Sequence, residues 1–227
     1  LMGSDSPGRL SCADGACHPP APHRQEILNR HSGRVDCTVC HIPAFARTDA
    51  TDMVRDWSQP AYDAEKDKHV PTFTMGTNVE PAFAWYNGTV RAQLPGTPVE
   101  FGADGVVGMV VPQGSREDPA ARLHAFKVHR GTMPVVRDSR WLLPINVEAF
   151  FAGGDIDAAV REAAHQFYGL EGFSYEWVPV RRFMGIFHAV RPAENALGCL
   201  DCHGPDGRLD WRGLGYDADP LAAALSP

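Results

Sequence analysis

Apolar positions along this chain come in short blocks, and few of them hold one period for long. The clearest regular stretch runs from Asp155 to Tyr168, where alanines alternate with charged residues. It reads as a helix with Asp155 as its N-cap and Gly169 as its stop. Asp118 to Val128 reads as a second helix, with Pro119 in its first turn. Pro98 to Val111 and Ser174 to Val190 hold β-branched and aromatic runs broken by Gly and Pro, and read as strands. Pro220 to Leu225 is a weak helical end after a polar tail. The first 45 residues are loop-rich, and no repeat or low-complexity tract organises the rest.

The composition explains why the blocks are short. The 227 residues include 22 Gly and 19 Pro, and both residue types interrupt helices and strands. A chain of this length can still bury an ordinary core, as one domain or two small ones. No apolar run approaches the ~18 residues of a membrane span, and no signal peptide is visible. Residue 1 is Leu, so the chain reads as a processed form or a part of a longer product. The formal charge is −7, and no basic cluster is present to neutralise a run of phosphates, which argues against a nucleic-acid partner.

The cysteines change the picture. All six fall in three pairs, and each pair is followed at once by a histidine. Cys37-Thr-Val-Cys40-His41 and Cys199-Leu-Asp-Cys202-His203 have the C-x-x-C-H spacing of covalent haem attachment. Two thiols add to the vinyl groups on one edge of the porphyrin, and the adjacent histidine meets the iron from one face. Cys12-Ala-Asp-Gly-Ala-Cys17-His18 is a longer variant, with Gly15 easing a bulge between the thiols. Zinc would need the pairs to converge in fours, and disulfides give no reason for a histidine after every second cysteine. The expectation is three covalent haem c groups that use all six cysteines, with His18, His41 and His203 as proximal ligands. Attachment of this kind takes place outside the cytoplasm, so the expected location is periplasmic or extracellular.

Three irons then need distal ligands, or an open site. His31 lies just before the second motif, where it can reach a neighbouring haem as the chain turns. His23 follows the stiff Pro19-Pro20-Ala21-Pro22 segment. His129 and His188 sit among apolar neighbours. These four are the candidates. His69, His124 and His165 lie in charged or helical contexts that favour ordinary structural roles, and the methionines read as packing residues.

Several stretches resemble the C-terminal part of the octahaem tetrathionate reductase family. They are Val35 to Pro43 with Asp56-Trp57-Ser58; Asn78-Val79 to Gly88; Phe126 to Gly131; and Cys199 to His203 with Gly207 to Trp211 and Leu214-Gly215-Tyr216. The resemblance spans about residues 12 to 220. It implies bis-histidine electron-transfer haems, with His23, His31, His129 and His188 at matching positions. The family's catalytic haem, with its lysine ligand, belongs to the N-terminal half, which is absent here, so tetrathionate reduction does not carry over. Four matching histidines face three irons. The fourth is either spare or ligates a haem of a neighbouring copy, which would build a homopolymer with a continuous haem chain.

The expected fold is a mixed α+β, loop-rich multihaem cytochrome organised around three haems, with little regular secondary structure and haem faces supplying much of the core. Residues 1–45 form a two-haem lobe, 46–190 a haem-covering region supplying distal histidines, and 191–227 the third motif and tail. The expected function is electron transfer, as a shuttle, a subunit of a redox complex or a subunit of an extracellular filament. Its partners are redox proteins or other copies of itself. Catalysis is not expected. The alternative is a reductase of a small sulfur or nitrogen oxyanion at one open haem, with Arg130, Lys127, Arg181 or Arg182 stabilising the anion. A haem or metal sensor would need a signalling domain, and none is visible.

Overall fold

Three long strands carry the architecture in the computed structural model, which describes residues 12–13 and 17–225. They are β1 (Thr51–Asp63), β6 (Arg122–Val136) and β7 (Tyr175–Gly185). With β2 (Lys68–Gly76), β3 (Ala82–Tyr86), β4 (Val90–Ala92) and β5 (Val107–Pro112) they form a seven-stranded mixed sheet. Its order is β2-β1-β6-β7-β5-β4, and β3 pairs with the start of β6. β1 runs parallel to β6 and β5 parallel to β7, while the other pairs are antiparallel. The helices are α1 (Glu26–His31), α2 (Cys37–His41), α3 (Val147–Gly153), α4 (Ile156–Tyr168), α5 (Cys199–Cys202) and α6 (Pro220–Leu225).

The helix expected over Asp118 to Val128 is not formed. Asp118 to Ala121 make a turn, in which Asp118 Oδ1 accepts the Ala120 N–H, and β6 follows from Arg122. The reason lies further along the chain. Buried Leu123 and Ala125 flank half-buried His124 after exposed Arg122, and β-branched and aromatic residues continue to Val136. Such a surface pairs on both sides, with β3 and β7, and sheet packing overrides a helix-start signal. The β1–β2 hairpin and α3 were not anticipated. The charged run Asp63 to Lys68 is the turn of that hairpin, where Asp63 accepts the Glu65 and Lys66 N–H groups and Asp67 takes a positive φ of 48°. The strand runs at β5 and β7 and the helix at α4 match expectation.

The chain also packs against itself more than expected. Val99, Val107, Val135, Val178 and Val180 form one core layer on the sheet. A second joins Val136 and Leu143 to Val160 and Ala164 of α4, and a third joins Trp57 and Phe150 to Ala159. Strands of 13, 15 and 11 residues have buried faces of their own to cover, and these layers are built from the chain's own side chains.

Both helices on that core begin with a side-chain cap. Asn146 Oδ1 accepts the Ala149 N–H, and Asp155 Oδ1 accepts the Ala158 N–H at 3.0 Å. Gly154 and Gly169 end α3 and α4 in the left-handed conformation, with φ of 76° and 65°. Asp155→Ala is expected to cost about 1 kcal/mol and to lower Tm by about 2–4 °C in a chain of this size. Thermal unfolding followed by far-UV circular dichroism checks it.

Candidate haem-binding site

The second motif is held on the sheet by its own cap. Asp36 Oδ1 accepts the Thr38 N–H and hydroxyl, which starts α2 at Cys37. The Asp36 N–H donates to the Leu123 carbonyl, and the Leu123 N–H donates to Arg34. The motif is thereby fixed at the start of β6. A second segment straps it from the other side: the Arg191 N–H donates to the His41 carbonyl, and the Leu197 N–H to the Cys40 carbonyl. The third motif forms α5, and the His203 N–H returns to the Cys199 carbonyl. Gly207 packs so close beneath it that any side chain there would strike the Cys202 carbonyl.

Two pairs of histidine rings meet at the same separation. His23 faces His41 and His31 faces His203, each with ring centroids 6.4 Å apart. The first pair is nearly parallel, at 18°, and the second nearly perpendicular, at 83°. Metal–imidazole bonds are about 2 Å long, and a ring nitrogen lies about 1.2 Å from its centroid, so two axial imidazoles on one iron place their centroids about 6.4 Å apart.

The outer nitrogens of these rings fix the tautomers. His41 Nδ1 lies 2.9 Å from the Arg191 carbonyl, and His31 Nδ1 lies 2.8 Å from the Ile27 carbonyl. A carbonyl only accepts, so each Nδ1 carries a proton, and the neutral ring in this tautomer presents its Nε2 lone pair. His23 Nδ1 lies 3.2 Å from Asn29 Oδ1, and Asn29 clamps the His23 backbone through two further bonds. His203 Nδ1 donates to Asp219 Oδ1 at 2.6 Å. Partners of this kind orient metal-ligating histidines. Desolvation pushes the Asp219 carboxyl upward, but the Gly204 N–H, His203 and the Leu221 N–H outweigh it and lower its pKa to about 2.

A cavity of about 350 Å³ contains the His31–His203 pair, with Cys40 and Cys202 in its wall. Val39, Trp85, Leu123, Leu209, Leu214 and Tyr216 make the lining largely apolar. Trp211 stacks on His203 at 5.0 Å and 20°, and its buried Nε1–H has no acceptor among the described residues. Around the motifs, Ile27, Phe187, Val190 and Leu200 expose between 45% and 75% of their surface. Facing imidazoles, an apolar cavity, an orphaned donor and uncovered apolar side chains beside thiols all fit a porphyrin, whose faces are apolar and whose propionates accept hydrogen bonds.

The thiols of the second motif are not activated by their surroundings. Burial first, then the Asp36 carboxylate and the neighbouring Cys12 thiol, push the Cys37 thiol up to about 11. Burial and the neighbouring cysteines 202, 37 and 199 do the same to Cys40. A raised pKa keeps each of these thiols protonated at neutral pH, so neither is an activated redox thiolate. Among the described residues, no group of three or more His, Cys, Asp or Glu is arranged to hold a metal ion.

The remaining candidates are placed elsewhere. Residues 14–16 inside the first motif, Gly15 among them, lie outside the described residues. Its flanks are described: Cys12, Cys17 and His18 are exposed, and Cys12 lies close enough to Cys37 to influence its thiol. His188 is exposed on the strap after β7, three residues before Arg191. His129 is buried in the sheet, in a separate cavity of about 180 Å³ with Arg55, Trp57 and Arg182. Its Nε2 lies 3.3 Å from Asp52. Burial lowers its pKa against the pull of Asp52, and Arg182 and Lys127 add to the lowering. His69 packs on Tyr62 and Phe150, His124 lies by Tyr86 and Asp36, and His165 is near Glu171. The cations considered for an oxyanion do not line the cavity of the motif histidines. Lys127 donates to Thr51, Arg181 pairs with Asp104, and Arg182 lines the His129 cavity.

Sequence reasoning missed Asn29, Arg191, Trp211 and Asp219. Only Asp219 left a signal: an acidic residue directly before Pro220, at the start of the expected terminal helix, is a capping pattern. The Arg191 carbonyl has none, since any residue supplies a carbonyl.

Comparison with known proteins agrees with this geometry. The family model described as bacterial cytochrome c matches residues 46–206. The crystal structure of octaheme cytochrome c from Shewanella oneidensis aligns with a TM-score of 0.85 at 30% identity. The alignment covers 100% of this chain and 56% of that one, so this chain spans little more than half of that protein's length. No curated protein matches. Among the described residues, no helix is long and apolar enough to cross a membrane. A family model covering most of the chain and a fold shared with an octahaem protein lead to one conclusion: the chain belongs to the bacterial cytochrome c family and is a multihaem c-type cytochrome, with covalently bound haem and a redox role.

Proposed function

We propose that this cytochrome transfers electrons through three haem c groups and performs no catalysis of its own. The observation that carries the reading is the pair of facing histidines, repeated twice at one separation. In this reading His23 and His41 hold the haem of Cys37 and Cys40, and His31 and His203 hold that of Cys199 and Cys202. The haem of Cys12 and Cys17 takes His18 and draws its second ligand from His188, on the strap beside His41. Haem iron with two protein ligands has no position for substrate, and cycles between ferric and ferrous states. The closeness of Cys12 to Cys37, and of Cys40 to Cys202, supports closely spaced haems.

Residues 1–45 then carry two haems and both facing distal histidines, 46–190 form the covering region, and 191–227 add the third haem and tail. Covalent attachment points to a periplasmic or extracellular protein, with redox proteins as partners. His129 is the histidine left over. Its ring is buried in the sheet beside Asp52 and does not reach a haem of a next copy, and electron microscopy of negatively stained particles separates a filament from a shuttle.

Intact mass spectrometry of the holoprotein tests the haem count. The mass should exceed the polypeptide by three haems, and Cys17→Ala with Cys12→Ala should remove one. An excess of two haems in the native chain contradicts the reading of the first motif.

A further inference from the structure

We propose that Asp219 sets the reduction potential of one haem: by accepting the His203 Nδ1–H, it makes the His31–His203 haem the lower-potential member of the two facing pairs. The inference rests on the bis-histidine reading above.

The four facing imidazoles differ in what their outer nitrogens meet. His41 and His31 donate to backbone carbonyls, and His23 meets the side-chain amide oxygen of Asn29. All three acceptors are neutral. His203 alone meets a carboxylate, at 2.6 Å. A carboxylate draws the Nδ1 proton toward itself and raises electron density at Nε2. A ligand of that character stabilises ferric over ferrous iron, so the potential falls. The charge also acts directly, because a half-buried anion beside the ligand favours the more positive oxidation state.

Asp219 is built to stay in place. Its Oδ2 accepts the Gly204 N–H, and its Oδ1 accepts the Leu221 N–H at the start of α6. Trp211 stacks on a face of the His203 ring and limits its rotation. Asp219 is therefore a positioning residue that acts on the iron through His203. Electrons entering at the His31–His203 haem would then run downhill toward the His23–His41 haem.

The two haems can be told apart without mutation. Near-perpendicular imidazoles leave the iron dπ orbitals nearly degenerate and give one strongly anisotropic low-spin signal, whereas near-parallel imidazoles give a rhombic spectrum. The test is a redox titration of the holoprotein monitored by EPR, on the native chain and on Asp219→Asn and Asp219→Glu. In the native chain the anisotropic signal should be reduced at the lower potential. Asp219→Asn should shift its ferrous-to-ferric ratio by on the order of tenfold, about 59 mV for one electron, with less effect on the rhombic signal. Asp219→Glu should restore most of the shift.

An anisotropic signal that reduces first in the native chain, or keeps its midpoint in a folded Asp219→Asn, overturns the proposal. If Asp219→Asn does not fold, the native order of reduction decides alone. Absence of both low-spin signals from the native chain instead overturns the bis-histidine reading itself.

Discussion

Truncating His31 to alanine is expected to leave one haem iron with a single protein ligand. The His31 ring faces His203 across 6.4 Å, and its Nδ1 proton is held on the Ile27 carbonyl one turn earlier. Alanine removes the ligand and leaves α1 otherwise intact, because the ring is exposed and covers no core. The ferric protein should gain a high-spin signal equal to one iron per chain, and the ferrous protein should bind one carbon monoxide where the native chain binds none. The strongly anisotropic low-spin signal should vanish. His23→Ala should do the same to the other facing pair and remove the rhombic signal instead. A His31→Ala protein that keeps every iron low-spin and ignores carbon monoxide would show that the facing pair is not a ligand pair.

Trp85→Ala has the largest expected effect on stability. The indole lies at the centre of the cluster with Val39, Ala121, Leu123 and Leu214, and is only 9% exposed. Its Nε1–H donates to the Leu214 carbonyl at 2.9 Å, and the Arg34 guanidinium sits 4.8 Å from its ring centre. One side chain thus ties β3 to the C-terminal segment that walls the larger cavity. Removing it loses the buried ring and leaves a void, which costs about 3–5 kcal/mol. The Tm should fall by roughly 10 °C. Trp85→Phe keeps most of the packing and strands the Leu214 carbonyl, a cost of about 1–3 kcal/mol. Thermal unfolding of both holoproteins, followed at the haem absorbance, checks the ordering Ala below Phe below native. Equal Tm values for all three would place the strength of the cavity wall elsewhere.

How much of this was legible before folding depends on whether the signal is local. Attachment motifs are local by necessity, because both thiols and the proximal histidine meet one porphyrin, so Cys37 to His41 and Cys199 to His203 announce themselves. The caps at Asp155 and Gly169 are local too, and α4 stands where its pattern put it. β6 misled because Asp118 and Pro119 carry a helix-start pattern, while the forces that fix it as a strand come from β3 and β7, distant in sequence. His23 and His31 were readable as candidates, but not their partners. His23 and His31 both lie between the first two motifs, His31 at the end of α1 and His23 just before it, and only the fold turns them toward different partners. Asn29 and Asp219 act on the ligands through tertiary contacts, and a single chain offers few marks of those. The sheet core was underestimated for the same reason. A composition rich in Gly and Pro suggests a chain draped on cofactors, yet the valines of β5, β6 and β7 meet only once the strands are aligned.

The most direct test of the electron-transfer account is frozen-solution EPR of the fully oxidised, intact holoprotein with spin quantitation. The account predicts low-spin ferric haem only, including one rhombic signal from the His23–His41 pair and one strongly anisotropic signal from the His31–His203 pair. A high-spin ferric signal integrating to one iron per chain would contradict it, because an iron with an open position is the site of a reductase and not of a pure electron carrier.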